Sequence, residues 1–244
     1  MSRAQFTVVS VLPDLLGTYG DSGNAVVLVQ RLRWRGISAE LVEVRAGCAV
    51  PVGAELYVIG GGQDSNQLAA VRHLGQDGGL GRALDRGAHL LAVCAGMQIL
   101  GRSFGGAGGR VHAGLELVDM EGMPLGRRAV GELVVDPEPS GIGLVTGFEN
   151  HGFGTVLGPG TRPLGQVQVG EGNGPGLGDG LLTERVVGTY AHGPVLARNP
   201  GLADYLLTRA TGIPLPPLDV PEAEILRLDR LRATVRKRRW PRRP

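Results

Sequence analysis

The stretch His89–Leu100, HLLAVCAGMQIL, decides the fold. It begins as a short apolar run, keeps apolar residues at helical spacing afterwards, and carries Cys94 at the join. A strand that passes directly into a helix is the unit of parallel sheets, whose neighbouring strands need crossover connections. The same unit recurs upstream. Phe6–Leu12 (FTVVSVL) is rich in β-branched residues and reads as a buried strand, and Ser22 precedes a helical run, Ala25–Trp34, closed by Gly36. Ala39–Val44 and Leu56–Ile59 read as further strands, the second ending in Gly60, Gly61 and Gly62. Gln67–Leu84 reads as a Gly-interrupted helical region, and Gln98–Phe104 continues at helical spacing after the short apolar run Leu90–Val93. This alternation predicts an α/β fold in three layers with a mainly parallel central sheet. In such sheets ligands bind outside the carboxyl ends of the strands, where Gly60–Gly62 and Cys94 both fall.

From Gly114 to Tyr190 the texture changes to short strand candidates, Leu115–Met120, Glu132–Val135, Gln166–Val169 and Val186–Tyr190, separated by Gly and Pro. These are expected to be antiparallel additions to the sheet. Residues 170–180, GEGNGPGLGDG, read as a loop made flexible by its composition, and Asp219-Val220-Pro221-Glu222 as a helix start with an early Pro and a capping-box acid. No internal repeat and no long linker interrupts the chain, so 1–244 is expected to be one domain ending in a basic tail from about residue 225.

With 244 residues, 42% hydrophobic and 20% charged, the chain can bury a sizeable core, which excludes a disordered class. Its longest apolar stretch, the one quoted above, is too short and too broken to span ~30 Å of hydrocarbon. The start MSRAQFTVVSVLPDL enters a strand-like run without a leader, so a cytoplasmic location is expected. Cys48 and Cys94 are the only cysteines, in no C-x-x-C pair and with no His at ligand spacing, so neither a disulfide scaffold nor a metal site is expected. Residues 225–244 hold nine basic side chains against the single acid Asp229, which leaves the remainder at a net charge of about −6. Such a tail suits an anionic surface or is simply solvated. Only Trp240 accompanies it as an aromatic, so nucleic acid is not an expected partner.

Cys94 stands in Ala92-Val93-Cys94-Ala95-Gly96, where a sharp strand-to-helix turn would expose the sulfur and leave room only for small neighbours. The start of a helix favours an anionic nucleophile and offers the Ala95 N–H to an oxyanion. A buried structural cysteine at a strand end is the alternative. His192, in Gly188-Thr189-Tyr190-Ala191-His192-Gly193-Pro194, follows an apolar run and reads as a loop residue at a strand end, either functional or an exposed His without a role. Gly60, Gly61 and Gly62 would let backbone N–H groups approach an anion closely, but no Gly-Lys-Ser/Thr follows, so this is not a phosphate loop. Gly147-Phe148-Glu149-Asn150-His151-Gly152 offers Glu149 and His151 as an acid–base or metal pair, or as turn residues.

Taken in order, YVIGGGQDSNQ (57–67), LAVCAGMQILG (91–101), GFENHG (147–152) and GTYAHGP (188–194), preceded by YGDSGN (19–24), resemble the cobyric-acid-synthase-type branch of class I glutamine amidotransferases. Within it the chain is most similar to the GatD subfamily, the glutaminase subunits of lipid II isoglutaminyl synthase. The resemblance implies that Cys94 is the nucleophile and His192 its general base. It implies further that Arg128, chosen over its neighbour Arg127 by the spacing to Gly131, holds the glutamine, and that Gln98 makes a weaker substrate contact. Pro194 stands where many class I enzymes have a carboxylate two residues after the His, a feature this branch shares. The group orienting the imidazole is therefore open, with Glu149 or a backbone carbonyl as candidates. Ala95 stands where the family usually has Gly, and Phe153-Gly154 where GatD-like proteins usually have Gly-Arg.

The resemblance implies no cofactor in this chain, with ATP and Mg expected on a MurT-like Mur-ligase-family partner that amidates the D-glutamate α-carboxylate of lipid II. Two alternatives are a glutaminase serving a cobyrinate-type corrinoid and a catalytically silent regulatory subunit. Against the corrinoid stands the fused ATP-binding domain that the resemblance attaches to cobyric acid synthases, for which 244 residues leave no room.

Overall fold

The computed structural model describes residues 5–239, with side chains described through 234. In chain order the elements are β1 (Phe6–Val11), α1 (Gly23–Trp34), β2 (Ala39–Val44), β3 (Leu56–Ile59), α2 (Asp64–Asp77), α3 (Gly79–Asp85), β4 (His89–Val93), α4 (Ala95–Gln98), β5 (Ser103–Gly105), β6 (Val111–Ala113), β7 (Met120–Pro137), β8 (Val145–Leu157), β9 (Gly165–Val169), β10 (Leu181–Leu182), β11 (Val186–Thr189), α5 (Val195–Arg198), α6 (Pro200–Thr211) and α7 (Pro221–Arg239).

Six strands form a sheet in the order β10-β11-β4-β3-β1-β2, parallel throughout except for β10 at its edge. Every residue of β3 and of β4 is buried, as befits parallel strands covered on both faces. The connections explain the cover. From β1 the chain crosses through α1 to β2 in one direction, and from β3 through α2 and α3 to β4 in the other. Because such crossovers are right-handed, opposite directions put α1 on one face and α2 with α3 on the other. The reversal makes the neighbours β1 and β3 a topological switch point, and the loops after them open a crevice at their carboxyl ends.

Val186–Tyr190, expected among the antiparallel additions, instead supplies β11, which runs parallel to β4 inside the main sheet. The antiparallel strands are the edge strand β10 and a second sheet in the order β6-β5-β7-β8, with β9 on β7. Its spine is the β7–β8 pair, whose register runs from Met120↔Leu157 to Val135↔Val145 with one irregularity between Pro124 and Ala129. Isolated bridges Phe148↔His192 and Arg162↔Leu182 tie the two sheets together.

Some expectations are corrected. The helical reading of Gln98–Phe104 ends at Gln98, because the chain must turn at Gly101, where a Cβ would sit 2.6 Å from the Met120 carbonyl oxygen. Residues 115–118 form no strand, since the N–H groups of Leu115, Glu116, Leu117 and Val118 bond back to Ile99, Gly101 and Leu100 carbonyls. Gly147–Gly152 is no turn but the middle of β8. The Gly-rich 170–180 segment is pinned rather than loose. Glu149 accepts the Glu171 and Gly172 N–H groups at 2.8 and 3.0 Å, and the Asn173 side chain closes on the backbone of Gly180 at 2.7 and 2.9 Å.

No helix among the described residues is long and apolar enough to cross a membrane. The basic tail begins within α7, whose Arg227 pairs with Glu224 and donates to the Leu144 carbonyl oxygen. Arg242 and Arg243 lie outside the described residues.

Candidate active site

Cys94 caps β4 with φ 49° and ψ −109°, a left-handed conformation that costs a non-glycine residue on the order of 1–3 kcal/mol. Its N–H donates to the Thr189 carbonyl oxygen at 2.8 Å, so β11 holds the turn in place. The turn is also crowded from below, since a Cβ on Gly96 would lie 2.5 Å from the Gly60 carbonyl oxygen. The sharp, crowded strand-to-helix turn expected from the small neighbours of Cys94 is thus present.

His192, just beyond β11, lines one cavity with Cys94. It is 1% exposed and hydrogen-bonds through Nδ1 to Oδ2 of Asp21, itself fully buried in the loop after β1, at 2.8 Å. The group that orients the imidazole is therefore Asp21. Glu149 is occupied elsewhere, with His151 Nε2 at 3.2 Å and the two loop N–H groups. Nε2 of His192 is buried without a hydrogen-bonding partner among the described residues. Burial alone would push the imidazole pKa down, but Cys94 and the Asp21 carboxylate beside it outweigh that and raise it to about 10.

The same Asp21 Oδ2 accepts the Gly61 N–H at 2.8 Å. Of the glycine run, Gly61 is thereby removed from the expected oxyanion donors, because its N–H is already used to hold Asp21. It has a steric role as well, since a Cβ at Gly61 would stand 2.5 Å from His192 Cε1. Gly60 is packed against Leu16 and Asp21, whereas Gly62 and Ala95 line the cavity beside Cys94.

Two cavities of about 180 and 530 Å³ share Cys94, Arg128 and Asn150 in their linings. Arg128 donates from Nε to Asn150 Oδ1 at 2.6 Å, and Asn150 donates to the Tyr19 hydroxyl at 2.5 Å. Tyr19, held at φ 60°, sets its ring edge against His192 with centroids 4.9 Å apart. Arg127 points away, 69% exposed and paired with Glu171. Gln98 lines the smaller cavity, but its amide is well occupied. It accepts from Gln67 at 2.9 Å and donates to the Phe153 carbonyl oxygen and the Tyr190 hydroxyl at 3.0 and 3.1 Å.

Residues 7–200 match the CobB/CobQ-like glutamine amidotransferase domain. The chain belongs to that family. It is 33% identical over 228 residues to the lipid II isoglutaminyl synthase (glutamine-hydrolyzing) subunit GatD of Staphylococcus aureus, covering 91% of this chain and 92% of that one. The GatD subunit of Streptococcus pneumoniae is 30% identical, covering 84% and 80%. A cobyric acid synthase of Jannaschia matches 63% of this chain at 35% identity but only 32% of its own length. A solved glutamine amidotransferase with a TM-score of 0.58 at 22% identity covers 83% of this chain and 98% of that one and shares the fold. PurLQS from Thermotoga maritima does so at the same TM-score and 14% identity, covering 93% and 100%.

In this amidotransferase Glu149 and His151 do form a pair, and His151 lines the smaller cavity with Cys94. His151 stacks on Tyr190 with centroids 3.8 Å apart and also faces the Phe153 carbonyl oxygen from Nδ1 at 2.8 Å. Behind it Asp179, fully buried, accepts from Thr189 Oγ1 at 2.6 Å; burial pushes its carboxyl up to about 6 against that bond. The pair thus braces the Gly-rich loop and the cavity wall. Among the described residues no group of three His, Cys, Asp or Glu could hold a metal.

Proposed function

We propose that this amidotransferase is the glutaminase subunit of a lipid II isoglutaminyl synthase, acting in the cytoplasm beside a MurT-like, Mur-ligase-family subunit that binds ATP and Mg. The reading is carried by the likeness to two GatD subunits over most of both chains.

The site supports the chemistry. Cys94 attacks the side-chain carboxamide carbon of glutamine, and the oxyanion is met by the N–H groups of Ala95 and Gly62. With its pKa raised to about 10, His192 begins as the imidazolium. Its Nε2 proton passes to the nitrogen as the C–N bond breaks, ammonia leaves and a thioester remains. The neutral imidazole then takes a proton from water, the hydroxide attacks the thioester, and glutamate departs as the Cys94 thiolate reforms. Arg128 grips the substrate α-carboxylate, and Asp21 keeps Nδ1 protonated and Nε2 aimed at the reaction.

The test is co-expression with the candidate ligase subunit, followed by incubation with lipid II, ATP, Mg and glutamine labelled with ¹⁵N at the amide. Glutamate release with ¹⁵N entering the D-glutamate α-carboxamide is expected. Glutamate release without label in lipid II would assign the ammonia to another acceptor, and no glutamate release would overturn the glutaminase reading.

A further inference from the structure

The cavities at Cys94 contain a charge that the reaction above does not use. Asp64, the first residue of α2, lines both of them and is the sole carboxylate that does so among the described residues. It is partly exposed and has no hydrogen-bonding or ionic partner there. Arg128 lines the same two cavities, yet it is engaged by Asn150 and forms no ion pair with Asp64. Two opposite charges thus face one space without neutralising each other. Between the cavities of about 180 and 530 Å³ that both side chains line there is room for a single amino acid. A free α-amino acid carries the complementary pair, an α-carboxylate and an α-ammonium on one carbon.

We infer that Asp64 binds the α-ammonium of the substrate glutamine and so restricts the enzyme to the free amino acid. This rests on the glutaminase reading of the same site. With Arg128 on the carboxylate and Asp64 on the ammonium, the α-carbon is held at two points and the side chain extends to Cys94. Substrates that lack the ammonium, such as glutaramate, or that mask it, such as N-acetylglutamine, lose that anchor. A solitary helical role for Asp64, in which its charge merely complements the start of α2, would give no such discrimination.

The test compares L-glutamine with glutaramate, the same molecule without its α-amino group, on the complex with its ligase subunit. Wild type should favour L-glutamine by ~10- to 100-fold in kcat/KM, the scale of one charge-assisted hydrogen bond. In Asp64→Asn the KM for L-glutamine should rise by about that factor with kcat little changed, while glutaramate turnover stays the same, so the preference collapses. Asp64→Ser should repeat this if the amide variant folds poorly, and protection of Cys94 from iodoacetamide by L-glutamine gives a reading independent of turnover. An unchanged KM for L-glutamine, or an equal loss with both substrates, overturns the inference while leaving the glutaminase reading intact. A wild-type complex that hydrolyses neither substrate removes the glutaminase reading, and this inference with it.

Discussion

Asp21 and His192 are 171 positions apart in the chain and 2.8 Å apart in the fold, and the oxygen that joins them also receives the Gly61 N–H. One buried carboxylate oxygen therefore fixes both the ring and the glycine turn beside it. Asp21→Asn keeps the size and one acceptor but removes the charge that helps hold the imidazolium. We expect glutamine turnover to fall by ~10²-fold and the alkaline limb of its pH profile to move to lower pH. A folded variant with an unmoved alkaline limb would show that Asp21 does not act through His192.

The raised pKa of His192 also makes stability depend on pH. Its folded value of about 10 lies above the ordinary 6.5, so the stabilisation is complete below about 6.5 and is lost as pH rises through about 10. Thermal melts from pH 6 to 10.5 should show this decline. In Cys94→Ala, which removes the leading upward contribution to that shift, the decline should begin at lower pH; identical curves would show that Cys94 does not act on His192.

Cys94→Ser should abolish glutamate release, whereas Cys48→Ala, at an exposed site, should retain it. His192→Ala should slow the chemical step by ~10² or more in a folded protein. These are read by coupled glutamate assay beside a circular-dichroism check, and comparable loss in both cysteine variants would sink the choice of nucleophile.

Arg128 and Arg127 are neighbours on a strand, and only Arg128 faces the cavities. Arg128→Ala should raise the KM for glutamine by ~10-fold or more, as expected for a lost carboxylate contact, and Arg127→Ala by little. The reverse order would mean that the cavity assignment is wrong.

Removing residues 236–244 should leave glutamate release intact and weaken co-sedimentation with anionic liposomes, more so at low salt, since each basic residue near such a surface is worth ~1 kcal/mol. Equal sedimentation of both forms would make the tail a solvated terminus.

Much of this was legible in the chain before its fold. The strands β2 and β3 have the bounds that their apolar runs predict, and Cys94 and His192 stand at strand ends as their glycine-flanked motifs imply. Asp21 was not legible as the partner of His192, although YGDSGN was visible. Its role exists only once parallel pairing sets the loop after β1 beside those after β3 and β11. The middle of β8 misled for a different reason. Three glycines in GFENHGFG imitate turn chemistry, but here they serve close approach, as at Gly147, where a Cβ would stand 2.5 Å from that of Ala191. Pairing with β7 along its length overrides the local signal.

Phe148 and His192 are joined backbone to backbone, with N–H to oxygen distances spanning 2.8 and 3.2 Å. Any displacement of β8 at Phe148 would therefore also pull His192 away from Asp21. At the rim Gly105 to Gly108 line the smaller cavity, and the positive-φ residues Gly108 and Gly109 have open space around them. A side chain could be added at Gly108 or Gly109 without a clash, though at a strained φ, whereas one at Gly61 would strike His192 Cε1 at 2.5 Å, so the rim and the floor of the cavities tolerate change very differently.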